Sequence, residues 1–200
     1  MRVHPRILLI TLVVAAAVAC GTATKLTAVW KAPEAAGTRF KKIIVAAQTK
    51  DQATRRSMES HMAARIANST ASYEVLTEDE TRDVNRAKAK ITSAGFDGAV
   101  IIRYVGTDKQ TTYVPGTTWW GPAPYGSMYG YWGYGWGAVY DPGYLVTDTI
   151  VSLESLVFDV NKDKLIWASR SETTNPTSMN DLVNSLIDAT IKEMKKQKVL

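Results

Sequence analysis

The sequence predicts an α/β (α+β) domain: a single small mixed sheet with three helices, in the order β-α-β-α-β, an aromatic and glycine-rich loop, then β-β-α. Three observations carry this expectation. Residues 43–47 (IIVAA) and 99–105 (AVIIRYV) are short apolar runs rich in β-branched residues, the signature of strands covered on both faces. Residues 51–68 and 77–95 place apolar side chains at helical spacing, so strand and helix patterns alternate, and alternation favours a mixed layer over a sandwich. Residues 146–160 and 164–173 are two further strand-like runs around a short turn, followed by a segment with one wide apolar stripe. A chain of 200 residues with 46% hydrophobic content suits one such domain plus a targeting segment.

The targeting segment is residues 1–19. Arg2 and Arg6 precede an uncharged apolar run, residues 7–19, with small residues after it, which is the grammar of a signal peptide. At ~1.5 Å per residue that run covers about 20 Å, short of the ~30 Å hydrocarbon core, so it reads as an export signal and not as a permanent span. The only cysteine in the chain, Cys20, follows directly after Ala17-Val18-Ala19. A lone cysteine has no internal disulfide partner. Its setting resembles a bacterial lipobox, which implies lipidation at Cys20 with palmitate-like acyl chains, and two or three such chains anchor stably where one does not. Ala17 stands where leucine is usual, and an ordinary signal-peptidase site after Ala19 is the alternative. By the same resemblance Gly21 implies sorting to the outer membrane, with the domain facing the periplasm.

Losing residues 1–19 removes Arg2 and Arg6 and leaves 22 basic against 19 acidic residues, a net charge of +3. So mild an excess, clustered at Lys192, Lys195, Lys196 and Lys198 where cations complement a helix C-terminus, does not make a nucleic-acid face. Residues 20–39 are small, polar and proline-containing, and are expected to form a lipidated N-terminus and tether, with Trp30 pinning its end onto a domain spanning 40–200. Asp51 is placed to cap the first helix, with Met58, Met62 and Ile66 on one face. Residues 73–76 (YEVL) read as a second strand. Thr77-x-x-Glu80 is a capping box opening a second helix along Val84, Ala87, Ile91 and Ala94 to a stop at Gly95. Asn161–Asp163 turns the hairpin, Glu154 is expected to pair across it with Arg170, and Ser178 with Asp181 caps the last helix.

Residues 113–144 break the pattern. They hold eleven of the eighteen aromatic residues, eight of the thirteen glycines and four of the seven prolines, with Asp141 as the only charge. Glycine and proline recur too often for a regular element, although Tyr113-Val114 and Tyr144-Leu145-Val146 could prolong the flanking strands. Tyrosine and tryptophan supply large contact areas at low entropic cost and glycine lets a backbone adapt. The candidate partner-binding residues are therefore Trp119, Trp120, Tyr125, Tyr129, Tyr131, Trp132, Tyr134 and Trp136. Envelope proteins, a second copy of the chain, or a glycan stacked on these rings are the partners that fit; a glycan site would also want the polar groups that fix sugar hydroxyls, which this run lacks.

No catalytic constellation is legible. His61 is the one histidine beyond the signal segment, and neither it nor Cys20 has companions for a zinc site. Asp159-x-Asn161-x-Asp163 begins like a calcium loop but continues with Lys164 at position six and Arg170 at position twelve. No nucleophile elbow or P-loop occurs, and the glycines of 130–135 follow no strand, so neither an enzyme nor a cofactor is expected.

Read together, the lipobox, Trp30-Lys-Ala-Pro33, Phe40-Lys-Lys-Ile-Ile-Val45, Tyr113-Val-Pro-Gly116, the aromatic run, Leu153-Glu154, Asp159, Lys164-Leu-Ile-Trp167 and Ser171-Glu-Thr-Thr-Asn-Pro176 resemble an uncharacterised family of bacterial envelope lipoproteins. More loosely, the element order is similar to the N-terminal domain of the TolB protein and to lipoproteins that activate penicillin-binding proteins or assemble curli. The resemblance implies a lipid-anchored protein of the cell envelope that works by protein binding, and it brings no catalytic residue with it.

Overall fold

The computed structural model describes residues 22–35, 37–116, 126–140 and 143–199. One six-stranded sheet runs β1 (Ala23–Lys31), β6 (Lys164–Thr174), β5 (Tyr144–Asp159), β4 (Gly98–Val114), β2 (Ile43–Gln48), β3 (Ser69–Ala71) across its width. It is mixed, as expected: β3, β2 and β4 are parallel, while β4, β5, β6 and β1 are antiparallel. Six helical segments accompany it among the described residues: α1 (Gln52–Ala63), α2 (Ser72–Val75), α3 (Glu78–Arg82), α4 (Val84–Ser93), α5 (Met128–Tyr140) and α6 (Met179–Lys196).

The main core lies between one sheet face and the pair α1 and α6. Alternation along the strands sends Ile43, Val45 and Ala47 of β2, Val100 and Ile102 of β4, Leu153 and Val157 of β5 and Trp167 of β6 to that face. Met58 and Met62 of α1 and the stripe Leu182, Val183, Leu186, Ile187, Ile191 and Met194 of α6 meet them there, as the helical spacing predicts. Trp167 is wholly buried and its Nε1–H donates to the Gln197 side chain at 3.1 Å, so its one polar atom is not stranded. The opposite face is covered over β2 by a smaller cluster of Ile44, Leu76 and Phe96 packed with Ala87, Ile91 and Ala94.

Four expectations need correction. Residues 23–31, expected as tether, are the edge strand β1, paired with β6 from Ala23↔Thr174 to Lys31↔Trp167. None of its nine residues is fully buried, and its partner lies about 140 residues away, so the local pattern is weak. Trp30 does not pin it; Trp30 is 49% exposed, and Ala32 and Ala35 are the buried residues that close this end. Residues 72–75 are a helical turn, not a strand, because the Ser72 hydroxyl and the Tyr73 amide are drawn to Glu59. The helix expected over 77–95 is two helices. Its capping box forms as expected, but the Asp83 carboxylate accepts from the Asn85 and Arg86 amides and opens a second helix, leaving Val84 exposed.

A projecting aromatic arm as the candidate functional site

β4 and β5 are far longer than the sheet they belong to. Beyond the last β5–β6 pair, Ile150↔Thr174, they continue together as a two-stranded ribbon to Val114↔Tyr144. Residues 144–149 therefore project about 20 Å at ~3.4 Å per residue. Two devices set the base of this arm. A bulge between Tyr104 and Gly106 re-aims β4 where it leaves the body. Asn175, in a left-handed conformation at φ +48°, donates its backbone N–H to the Thr149 carbonyl (2.8 Å), accepts the Thr149 N–H on its side chain (2.8 Å) and donates its side-chain amide to Asp148 (2.6 Å). Asparagine is one of the few side chains that tolerates this backbone and bonds locally from it.

At the head of the arm Gly143 has φ +80°, and a Cβ there would lie 2.4 Å from the Val114 carbonyl oxygen, so only glycine fits the close approach. The extension of the strands through Tyr113-Val114 and Tyr144-Leu145 agrees with the sequence reading, whereas the middle of the segment does not: residues 128–140 form α5. Tyr129, Trp132 and Trp136 recur at helical spacing along it, and the Trp132 and Trp136 rings meet edge-to-face at 6.0 Å. Glycine at 130, 133, 135 and 137, each costing roughly 1 kcal/mol against alanine in a helix, hid that period.

Of the eight candidate binding residues, the structure brings Tyr129, Tyr131, Trp132 and Trp136 together on α5 as exposed side chains, Tyr129 at 81% and Trp132 at 63%. Tyr134 lies on the same helix. Trp119, Trp120 and Tyr125 lie outside the described residues, as does Cys20. Sequence reasoning missed Met128, Tyr113, Tyr144 and Leu145, all large, exposed and at the same end; their signal was the absence of charge from the distal ribbon.

The N-terminal end of the described chain comes to the base of this arm. Because Ala23 pairs with Thr174 and Thr174 with Ile150, β1 begins at the sheet end from which the ribbon leaves. Residues there are fastened to α6: the Thr22 hydroxyl donates to the Asp181 carboxylate, Ser185 Oγ donates to the Thr22 carbonyl (3.0 Å), and the Thr24 hydroxyl shares hydrogens with Ser185 and Thr173 (2.7 Å each). The Thr22 hydroxyl, with the Thr177 amide and hydroxyl, holds the Asp181 carboxyl below its ordinary range.

Elsewhere the polar clusters are structural. Glu59 is fully buried on α1 and accepts the Ala47 N–H (3.0 Å), the Arg55 Nε–H (3.0 Å) and the Ser72 hydroxyl (2.8 Å) on one oxygen and the Tyr73 N–H (2.9 Å) on the other. It lines a cleft of about 430 Å³ beside Gln48, Lys50 and Gln52, but its oxygens are committed to the fold. His61 on α1 is half-buried with its Nδ1 enclosed. Glu154 stands opposite Arg170 in register, yet its ion pair is with Arg103 on the other neighbouring strand (2.7 Å), which corrects the expected pairing. Asp159 accepts the Lys162 N–H at the hairpin turn (3.1 Å). No group of three or more His, Cys, Asp or Glu side chains able to hold a metal ion occurs among the described residues, and none of their helices is long and apolar enough to cross a membrane.

The fold and arm define a mixed α/β protein with a projecting aromatic hairpin. No protein-family model matches the chain, and no curated protein matches it. Among solved structures it is similar to the PelC dodecamer from Paraburkholderia phytofirmans, at 14% identity and TM-score 0.42 over 83% of this chain and 91% of that one. It is also similar to lipoprotein GNA1162 from Neisseria meningitidis, at 14% identity and TM-score 0.39 over 78% of this chain and 98% of that one.

Proposed function

We propose that this chain is a lipid-anchored cell-envelope protein, tethered at Cys20, that acts as a non-catalytic binding or assembly module and meets its partner through the segment 113–144. The observation that supports the reading is the exposure of Tyr129 and Trp132 on a helix in the segment that joins the two ends of the ribbon. A side chain that packs its own domain would be covered, and exposed aromatic clusters of this kind mark contact sites. The rigid, low-entropy rings are suited to dock in a partner's pocket or against a surface.

Replacing residues 115–143 with a two-residue Asn-Gly turn between the paired Val114 and Tyr144 would close the ribbon and leave the body intact. Photocrosslinking in cells from position 132 of the complete chain identifies what the arm touches, and affinity capture compares the shortened and complete forms. The reading expects the set of captured envelope components to change on deletion, and an unchanged set would reject it. Sedimentation with purified sacculi separates a peptidoglycan partner from the others. Lipidation is tested independently by labelling with a palmitate analogue, which Cys20→Ser should abolish.

A further inference from the structure

The polarity of the arm is graded along its length. From the body outward the paired residues are Asp108↔Ile150, Lys109↔Thr149, Gln110↔Asp148, Thr111↔Thr147, Thr112↔Val146, Tyr113↔Leu145 and Val114↔Tyr144, and then α5. Charge occupies the base, threonine the middle, and aromatic or aliphatic side chains the head. An arm made to dock in a protein pocket has no need of an axial gradient, whereas a rod crossing from water into a lipid interface does. Tyrosine and tryptophan are the side chains that settle at that boundary, with an apolar ring and a polar tip.

The other end of the gradient is matched to the chain's own N-terminus. Thr22 is fixed at the base of the arm by Asp181 and Ser185, and Cys20 is two residues upstream. Two residues reach about 7 Å at ~3.5 Å each, so a lipidated Cys20 holds the membrane surface within about 10 Å of the level of Ile150. The threonine zone, Thr111 and Thr147, lies about three residues out from Ile150, again about 10 Å. The head of the ribbon lies about 20 Å out, and so about 10 Å deeper than the surface, the depth at which interfacial amphipathic elements bury their apolar face. A short glycine-containing helix that is marginal in water is also favoured there, since a low-dielectric boundary strengthens its internal hydrogen bonds.

We infer that the head of the arm, carrying Tyr129, Trp132, Tyr144 and Leu145, inserts into the interface of the same bilayer that holds the lipid on Cys20, giving the domain a second attachment that fixes its orientation. This rests on the lipid-anchor reading above and names the surface that the arm meets: a lipid interface, in preference to a protein or a second copy of the chain. The arm needs no anionic lipid, because its head carries no basic residue among those described.

The test uses the full lipidated chain with Tyr129→Cys; Cys20 is the only native cysteine and is consumed by the lipid, so a fluorescent NBD group reports from position 129 alone. The protein is reconstituted in vesicles of phosphatidylethanolamine and phosphatidylglycerol containing a spin-labelled lipid, with Lys109→Cys as the control at the base. The expected result is quenching by the lipid and protection from aqueous iodide at 129, with the reverse at 109. A label at 129 as open to iodide on vesicles as in solution overturns the inference. A second measurement uses the mature chain with Cys20→Ser, so that no acyl chain contributes: adding Trp132→Glu and Trp136→Glu should lower partition into the same vesicles about tenfold, equivalent to ~1.4 kcal/mol, with unchanged thermal unfolding, and salt should matter little. Equal partition with and without the two glutamates overturns it. If position 129 stays aqueous while the in-cell crosslinker at 132 captures a discrete protein or a second copy, the membrane inference fails and the docking reading stands. If neither lipid nor protein is found, both fail.

Discussion

Glu59→Gln is the substitution that most directly probes how this fold is held. The side chain has no exposed surface, Arg55 beside it is almost as deeply buried, and one carboxylate joins α1 to β2 through the Ala47 N–H and to the α2 turn through Ser72 and the Tyr73 N–H. An isosteric amide keeps the shape but removes the negative charge. It also presents an NH2 where one oxygen had accepted either three donors or the Tyr73 N–H. Arg55 is left buried without its counter-charge. Breaking a buried pair from one side costs about 3–5 kcal/mol, a large share of the 5–15 kcal/mol typical of a domain. At ~2–4 °C per kcal/mol for a chain of this size, the melting temperature should fall by about 6–20 °C.

Thermal and urea unfolding followed by circular dichroism supply the measurement, and the double variant Arg55→Met with Glu59→Leu supplies the control. Replacing both charges by apolar groups of similar size removes the unpaired Arg55 but strands the Ala47 and Tyr73 N–H groups that Glu59 served, so the double variant should recover only the share of the loss due to the unpaired charge and stay below wild type. A Glu59→Gln protein within about 1 kcal/mol of wild type would refute the reasoning, since it would mean that the carboxylate is not the acceptor for its four donors. An equal loss in the double variant and in Glu59→Gln would instead locate the damage in the stranded Ala47 and Tyr73 donors.

Three further outcomes are expected. Asn175→Ala removes the acceptor of the Thr149 N–H and the donor to Asp148 and places alanine at φ +48°; the Thr149 amide should exchange faster by roughly tenfold or more, about 1–2 kcal/mol, with the β2–β4 amides unchanged. Gly143→Ala sets a methyl against the Val114 carbonyl, so amides of residues 144–147 should lose protection while the melting temperature of the body stays within a few degrees. Asp51, Glu80 and Asp181 are held below their ordinary values, chiefly by the Thr54 side chain, the Thr77 amide and the Thr22 hydroxyl respectively. A lowered folded-state pKa contributes stability above the unfolded value of about 4 and loses it as the pH falls through the folded one, so the urea midpoint should hold from pH 7 to 5 and drop below pH 4.

The elements that the sequence announced are those whose cause is local or periodic. Asp51 caps α1, Ser178 caps α6 and Thr77 with Glu80 makes its box because each needs only residues three positions away. The stripe of α6 and the β5–β6 hairpin repeat over enough residues to be read in one pass. Where the cause is a distant residue, the pattern fails. β1 is a strand because β6 offers it an open edge, and residues 72–75 turn helical because Glu59, on another helix, accepts from Ser72 and Tyr73. Glu154 faces both Arg103 and Arg170 from its two neighbouring strands, and only the three-dimensional geometry shows that Arg103 takes it.

The arm divides the same way. Its composition marked it as unusual, and its ribbon ends were legible in Tyr113-Val114 and Tyr144-Leu145, but two features were not. The period of Tyr129, Trp132 and Trp136 was masked by glycines whose helix propensity argues against a helix in water. The coincidence of the arm's base with the start of β1 is a property of topology alone, since it passes through two antiparallel pairings, Ala23 with Thr174 and Thr174 with Ile150. That coincidence turns a list of aromatic residues into a geometric statement. Under the proposal above, an anchor at Cys20 and an aromatic head about 10 Å deeper along one axis would constrain the body to a narrow range of tilts over a surface, whereas a lipid on a free tether would constrain none. What the topology itself gives is that the start of β1 and the base of the aromatic arm share one end of the sheet, while Trp30 lies exposed toward the other.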